Sequence, residues 1–446
     1  MKENNFYKKL FAIVLPIACQ NLISAMVSAS DAIMLGTLNQ ESLSAVSLAT
    51  QVQFVLSLFF SALMIGETIL AAQYWGKGNT DTVEYILALV TKISFGIAVV
   101  FFAGAYFAPS LLMKIFTNDI VLIKHGSSYL RIVSWSYLLA SISQIYLCIM
   151  KNSGRTLRST IYSMVSMILN IFLNAVFIFG LFGFEKRGIE GAAIATVIAR
   201  LVEVILVLGE NQRKKVVRLK LSNLRYADSQ IKKDFWKYTS PVLANELVWG
   251  CGFSMFSVIM GHLGSDAVAA NSYANIVSNL ISCFCLGIGA GSSIIIGNEL
   301  GSGRLETAKE EGGKLCRIAI VSGILSGGII LLLSPLILNQ VGNLTIEAQD
   351  YLKGMLYICA FFIIGKAINS TTISGIFCAG GDTKFGFICD TITMWGIIIP
   401  IGMLAAFVFH FPVIVVYFIL NFNEFIKIPA VYVHYKKYKW VQNLTR

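Results

Sequence analysis

Asp31, Asn170, Asn174 and Thr196 are oxygen-bearing side chains set inside long apolar runs. Asp31 lies about five residues from one end of the run 11–36. Asn174 lies about eight residues from the corresponding end of 159–182, and Thr196 about six from that of 190–209. Asn170 stands one helical turn from Asn174 on the same face. A carboxylate, two amides and a hydroxyl at similar depth can coordinate a small hard cation through oxygen. They can equally hold a carboxyl group that takes up a proton, because low-dielectric surroundings disfavour the charged form. Asp31 could also do no more than cap or bond a neighbouring helix. A second acidic set lies in the other half of the chain. Glu246 sits about seven residues into the run 239–262, and Asp390 about five into 385–408. Two carboxylates facing each other can share a proton or bind one cation, since both cannot ionise cheaply. The alternatives are a salt bridge from Glu246 to Lys366 and a helix N-terminal charge interaction for Asp390.

These residues need helices that cross a bilayer. Of the 446 residues, 56% are hydrophobic and only 13% charged, about half the charged share of a soluble protein. Mean hydropathy is +0.72. Disordered, collagen-like and disulfide-stapled classes are excluded by the same numbers. Twelve apolar runs of spanning length lie near 11–36, 45–75, 85–108, 128–150, 159–182, 190–209, 239–262, 268–298, 315–338, 353–377, 385–408 and 411–433. The expected fold class is therefore an all-α polytopic membrane protein. Its net charge of +11 reports topology. Sorted by loop, 25 Lys and Arg fall on one side and 5 on the other. That asymmetry places both termini in the cytoplasm, and it needs no nucleic acid. MKENNFYKKL runs into the first span without a small-residue cleavage pattern, so that span is expected to be retained. None of the nine cysteines has zinc spacing, and all read as small apolar side chains.

The polar stretch near 211–238 divides six spans (1–210) from six (239–446). At an offset of 225 residues Pro16 falls on Pro241, Gly36 on Gly261, Gly66 on Gly291, Gly76 on Gly301 and Gly78 on Gly303. At a slightly different offset Gly154 and Thr156 fall on Gly381 and Thr383. Such residues punctuate backbone where helices bend, end or pack closely. Two six-span repeats that both enter from the cytoplasm should be related by an axis along the membrane normal. A cleft between them would be the path of a transported substrate.

Several segments carry a family resemblance: LPIACQNLISAMVSASDAIMLGTL, AAQYWGKGN, NSGRT, ILNIFLNAVFIFG, SPVLANELVWG and AGGDTKFGFICD. In that order and spacing the chain resembles the multidrug and toxin extrusion (MATE) transporters over nearly its whole length. The resemblance implies two six-helix lobes and export of cationic, amphiphilic compounds driven by entry of protons or sodium ions. No other cofactor is implied. The family's cation site in the first lobe resembles the set of Asp31, Asn170, Asn174 and Thr196. A second acid often stands there where this chain has Asn174, which weakens the case for sodium and leaves proton binding at Asp31. Glu246 matches the family's acid in the seventh span, and Asp390 is a looser match to the acid of the second lobe.

Other intramembrane residues are read more plainly. Arg200 with Glu203, and Glu424 with Lys427, sit at i, i+3 and read as internal pairs. Glu67 can line the cleft, together with a soft apolar lining from Met26, Met64, Phe253, Phe256 and Phe284. GIGAG at 287–291 is not a phosphate loop, and no GxxxxGK[ST] occurs. The expected partners are small cationic molecules and the lipid bilayer, with the chain acting as a monomer. Two other functions stay open. One is a flippase for a lipid-linked precursor, which would need a basic cleft. The other is a receptor or scaffold that moves nothing.

Overall fold

Asp119 shows how the apolar runs become helices. Its carboxylate accepts from the amides of Val121 (2.8 Å) and Leu122 (3.4 Å), satisfying donors that a helix start leaves unpaired. The fourth spanning helix therefore begins at Ile120, well before its apolar run. The computed structural model describes residues 2–213, 217–220, 222–223, 228–341 and 344–445. Lys214, Lys215, Arg225 and Arg446, counted above among the basic loop residues, lie outside the described residues. So do other parts of the 211–238 linker, at 216, 221, 224, 226 and 227.

Among the described residues no strand occurs, and twelve helices are long and apolar enough to cross a membrane. The first six are α1 (Phe6–Gly36), α2 (Gln40–Gly76), α3 (Thr80–Phe107), α4 (Ile120–Asn152), α5 (Thr156–Phe179) and α6 (Gly188–Asn211). The next six are α7 (Ser229–Gly261), α8 (Ser265–Gly301), α9 (Leu305–Asn339), α10 (Ile346–Phe377), α11 (Thr383–Val408) and α12 (Val413–Lys436). All twelve expected spans are present, and the protein is a multi-pass membrane protein. Val100, Phe107, Ile115 and Leu332 are each at least 70% exposed. Apolar surface of that extent is stable against lipid and not against water. A short helix, Pro109–Phe116, was not apparent from the sequence.

The repeat seen in the sequence governs where helices stop. Gly36 and Gly261 end α1 and α7, and Gly76 and Gly301 end α2 and α8. Gly78 and Gly303 have φ of 82° and 79°, and Gly154 and Gly381 have 76° and 77°. The last pair close the same turn. Gly154 and Arg155 donate to the carbonyls of Lys151 and Met150, as Gly381 and Asp382 donate to those of Cys378 and Phe377. Only glycine adopts this left-handed corner without steric cost.

The chain divides into two compact units. Unit A comprises residues 20–71 and 79–235, and unit B residues 1–19, 72–78 and 236–446. In unit A, Val46, Ala49, Val52, Leu56 and Phe60 form one helical stripe of α2. They are buried with Ala98, Tyr129, Leu130, Val133, Tyr137 and Ile178. In unit B, Phe6, Leu10, Ile13, Val14 and Ile17 form the matching stripe of α1, buried with Ile288, Ile295, Phe377 and Trp440. α10 and α11 depart from regular helix at Ser370–Phe377, Thr391–Ile398 and Leu404–Val408, which are π-helical. Thr372, Thr391 and Thr393 donate their hydroxyls to carbonyls four residues back. This back-bonding competes with the backbone ladder along two of the three π segments.

The C-terminal segment closes the core of unit B. Trp440 is fully buried, and a Cβ on Gly312 would lie 3.0 Å from its ring. A Cβ on Gly380 would stand 1.6 Å from its carbonyl oxygen. Gln73, also fully buried, donates to the carbonyls of Ala379 (2.7 Å) and Gln442 (3.2 Å) and accepts from the Leu444 amide (2.7 Å). Removing the indole empties a tight site, at a cost of about 3–5 kcal/mol. Trp440→Ala is therefore expected to lower the melting temperature of the purified protein in detergent by several degrees. Phe107→Ala, on the exposed face, should leave it within a degree or so.

Candidate functional site

The four residues first singled out in unit A are brought together. Asp31 on α1 accepts a hydrogen bond from Asn174 Nδ2 on α5 at 2.5 Å. The same amide donates to Asn170 Oδ1 at 3.3 Å. Asn170 Nδ2 donates in turn to Thr196 Oγ1 on α6 (3.3 Å), whose hydroxyl is held on the Ala192 carbonyl (3.0 Å). The i, i+4 spacing on α5 places both amides on one face, and α1 and α6 supply the two ends of the chain of bonds. Asn170 and Asn174 are buried, while Asp31 and Thr196 are half-buried. Asn174 Oδ1 is buried and meets no donor among the described residues. An unpaired buried acceptor is costly, about 1–3 kcal/mol. A small ion held beside Asp31, or a proton on that carboxyl, would change the balance of donors and acceptors here.

In unit B, Asp390 has a cation and an amide as partners. Asp390 on α11 accepts from Lys427 Nζ on α12 at Oδ1 (2.8 Å) and from Asn245 Nδ2 on α7 at Oδ2 (3.0 Å). Lys427 is only 4% exposed, and its ammonium is 3.7 Å from Glu424 Oε1. Glu424 Oε2 accepts from Asn369 Nδ2 on α10 (2.8 Å). The internal pair read from the i, i+3 spacing, Glu424 with Lys427, is thus the longer of the two contacts made by that lysine. Sequence spacing finds partners on one helix, and it missed the closer one on α11. Glu246 is half-buried on α7, next in sequence to Asn245. Asn245 and Asn369 were overlooked because a neutral amide in a span carries no insertion signal comparable to a charge.

The remaining residues separate by burial. Arg200 Nη1 lies 2.9 Å from Glu203 Oε2, as the spacing predicts, and Ser143 donates to the same oxygen at 2.6 Å. Met26, Phe253 and Phe284 keep exposed side chains, and Phe253 stacks on Trp249 with centroids 5.6 Å apart. Met64 and Phe256 are partly buried and pack on their units' cores. Glu67 is fully buried, so it is not part of an open lining. Glu210, at the end of α6, was not noticed in the sequence. It is buried and takes Arg155 (2.6 Å), Arg158 (3.3 Å), Arg213 (3.2 Å) and the Tyr162 hydroxyl (2.8 Å). The NSGRT segment therefore serves to tie the start of α5 to the end of α6. Among the described residues no group of three His, Cys, Asp or Glu side chains is placed to hold a metal ion.

Comparison with known proteins places this geometry. The MatE family pattern matches residues 16–176 and 241–404. An uncharacterized transporter, YisQ of Bacillus subtilis, is 23% identical over 97% of this chain and 95% of its own length. A probable multidrug resistance protein, NorM of Thermotoga maritima, is 26% identical over 89% of this chain and 84% of its own. The crystal structure of an Asp-to-Asn mutant of the Vibrio cholerae MATE transporter VcmN superposes with a TM-score of 0.89, at 18% identity, over 98% of this chain and 99% of that one. Both halves of the chain are matched, with the same twelve-helix architecture, and the chain belongs to the MatE family of multidrug and toxin extrusion (MATE) transporters.

Proposed function

We propose that this transporter exports cationic, amphiphilic compounds across the cytoplasmic membrane in exchange for protons or sodium ions, by alternating access. Both termini lie in the cytoplasm in this reading, and the lobes are the six-span halves 1–210 and 239–446. The observation that carries the reading is the chain of bonds from Asp31 through Asn174 and Asn170 to Thr196. It joins three spanning helices through one ionisable group. Adding a proton or a cation at Asp31 changes the partner of Asn174 and with it the relation of α1 to α5. A ligand shifts a conformational equilibrium only by its differential affinity for the two states. Export follows if the loaded site favours one facing and the cationic compound favours the other. With Asn174 where a second acid would stand, Asp31 is the one carboxylate of the set, which weakens the case for sodium and favours a proton.

The acids of unit B take a secondary part in this reading. Asp390 already holds a cation, the Lys427 ammonium, so it is less free to exchange one. Glu246 keeps the expected role of a coupling acid. A flippase for an anionic precursor is disfavoured, since the buried basic group Lys427 is matched by two carboxylates rather than offered to a phosphate.

The reading is tested in proteoliposomes, with ethidium as the probe cation and an imposed proton or sodium gradient. Ethidium movement should follow one of the two gradients, and flux indifferent to collapsing both would overturn antiport. Asp31→Asn should reduce gradient-driven flux at least about tenfold at normal membrane insertion, the scale of a lost charge-assisted interaction of about 1.5–3 kcal/mol. Full activity in that variant would remove Asp31 from the mechanism. Lys427→Met strands the Asp390 carboxylate in the interior and should destabilise the protein by about 3–5 kcal/mol, read as a lowered melting temperature. Adding Asp390→Asn to it should recover most of that loss.

A further inference from the structure

Glu67 is a carboxylic acid with no assigned work. It lies on α2 in unit A, nine positions before Gly76, where that helix ends, or about 14 Å along the axis. Its side chain is fully buried. Neither oxygen meets a nitrogen or oxygen partner among the described residues. The polar group beside it is the Cys148 thiol on α4, a weak donor. An ionised carboxylate in such a place has no countercharge in contact and no strong hydrogen bond. The neutral acid, with the proton on one of its own oxygens, has a far lower cost.

A line of polar atoms runs from this acid towards the end of α4. The Cys148 sulfur is 3.3 Å from Thr68 Oγ1, which accepts from Asn152 Nδ2 at 3.2 Å. Asn152 is the last residue of α4, and its Oδ1 is buried without a donor. Next come the buried Ser153 and the exposed Gly154, in the left-handed turn shared by both halves. We propose that Glu67, with Thr68, Cys148 and Asn152 around it, is a second proton-binding site in unit A, separate from the Asp31 set and reached from the Ser153–Arg155 turn. The uptake is a simple protonation: a hydronium that reaches the pocket gives its proton to a Glu67 oxygen and leaves as water. The new O–H can donate to the cysteine sulfur. A sodium ion fits less well, because a thiol stands where further oxygens are needed.

The titratable and charged groups that face this pocket are few. From α2 there is Glu67 itself. From α4 there are Cys148 and, one turn on, Lys151, which lies in electrostatic range of Cys148 and of Glu203 on α6. Glu203 in turn is held by Arg200. Lys151 acts on Cys148 and Glu203, and no cation is in contact with Glu67 among the described residues. The role of this proton in exchange rests on the proton-coupled reading above, whereas the site itself does not.

The test is an infrared pH titration of the full-length protein in proteoliposomes, without any transported compound. Wild type is expected to show a protonated-carboxyl carbonyl band that disappears as pH is raised. That band should be absent from Glu67→Gln, shifted in frequency in Glu67→Asp, and retained in Asp31→Asn. Gel filtration identifies the folded variants, and Glu67→Asp serves if the glutamine variant does not fold. Spectra of wild type and the Glu67 variants that titrate alike would overturn the proposal. So would a Glu67 band that persists across the whole pH range, which marks a permanently neutral side chain. A titrating Glu67 band in a protein whose ethidium flux ignores every gradient would keep the site and discard the antiport.

Discussion

Charge inside a low-dielectric interior is the constraint on which this molecule is organised. An ionised side chain in a span costs about 2.5–3.5 kcal/mol on insertion scales, and each one here is answered in a particular way. Glu203 is held by Arg200 and Ser143, and Asp390 by Lys427 and Asn245. Glu210 is surrounded by three arginines and a tyrosine. These groups are matched by opposite charge, and their geometry is that of struts. Asp31 and Glu67 are different. Asp31 has an amide for a partner, and Glu67 has a thiol beside it. Among the described residues neither is in contact with a fixed cation.

That division separates architecture from chemistry along the same helices. The arginine cluster on Glu210 fixes α5 to α6 at one end, while the amides of α5 meet Asp31 and Thr196 further along. In unit B two of the three π-helical segments follow Asn369 and Asp390 directly, so the backbone is irregular beside the buried ion pair. Irregular helix of this kind is common next to functional residues. The buried Trp440 and Gln73 anchor the end of the chain to the same unit.

The internal duplication explains why corresponding turns match while the sites do not. Two matched glycine pairs, Gly78 with Gly303 and Gly154 with Gly381, keep left-handed φ because another residue would be strained there. No such steric rule acts on the polar side chains, which are set by partners in space. Asp31 and the amides of α5 therefore have no equal in unit B, where a lysine completes the cluster.

By itself the sequence determined the class of molecule. Hydrophobic length set the twelve spans, basic residues set the expected topology, and glycine and proline spacing set the repeat, because each depends on local composition or one residue's backbone. Helical periodicity also placed Asn170 and Asn174 on one face and paired Arg200 with Glu203. Partners separated by more than a few turns were decided only by tertiary packing. Asp390 meets Lys427, and Glu210 meets Arg155, because different helices bring them within 3 Å, which no periodicity encodes. The same holds for Glu67, whose place in the sequence fits an open cleft but whose neighbours enclose it. Depth along a helix can be read from the chain; the direction a side chain faces is settled by what packs against it.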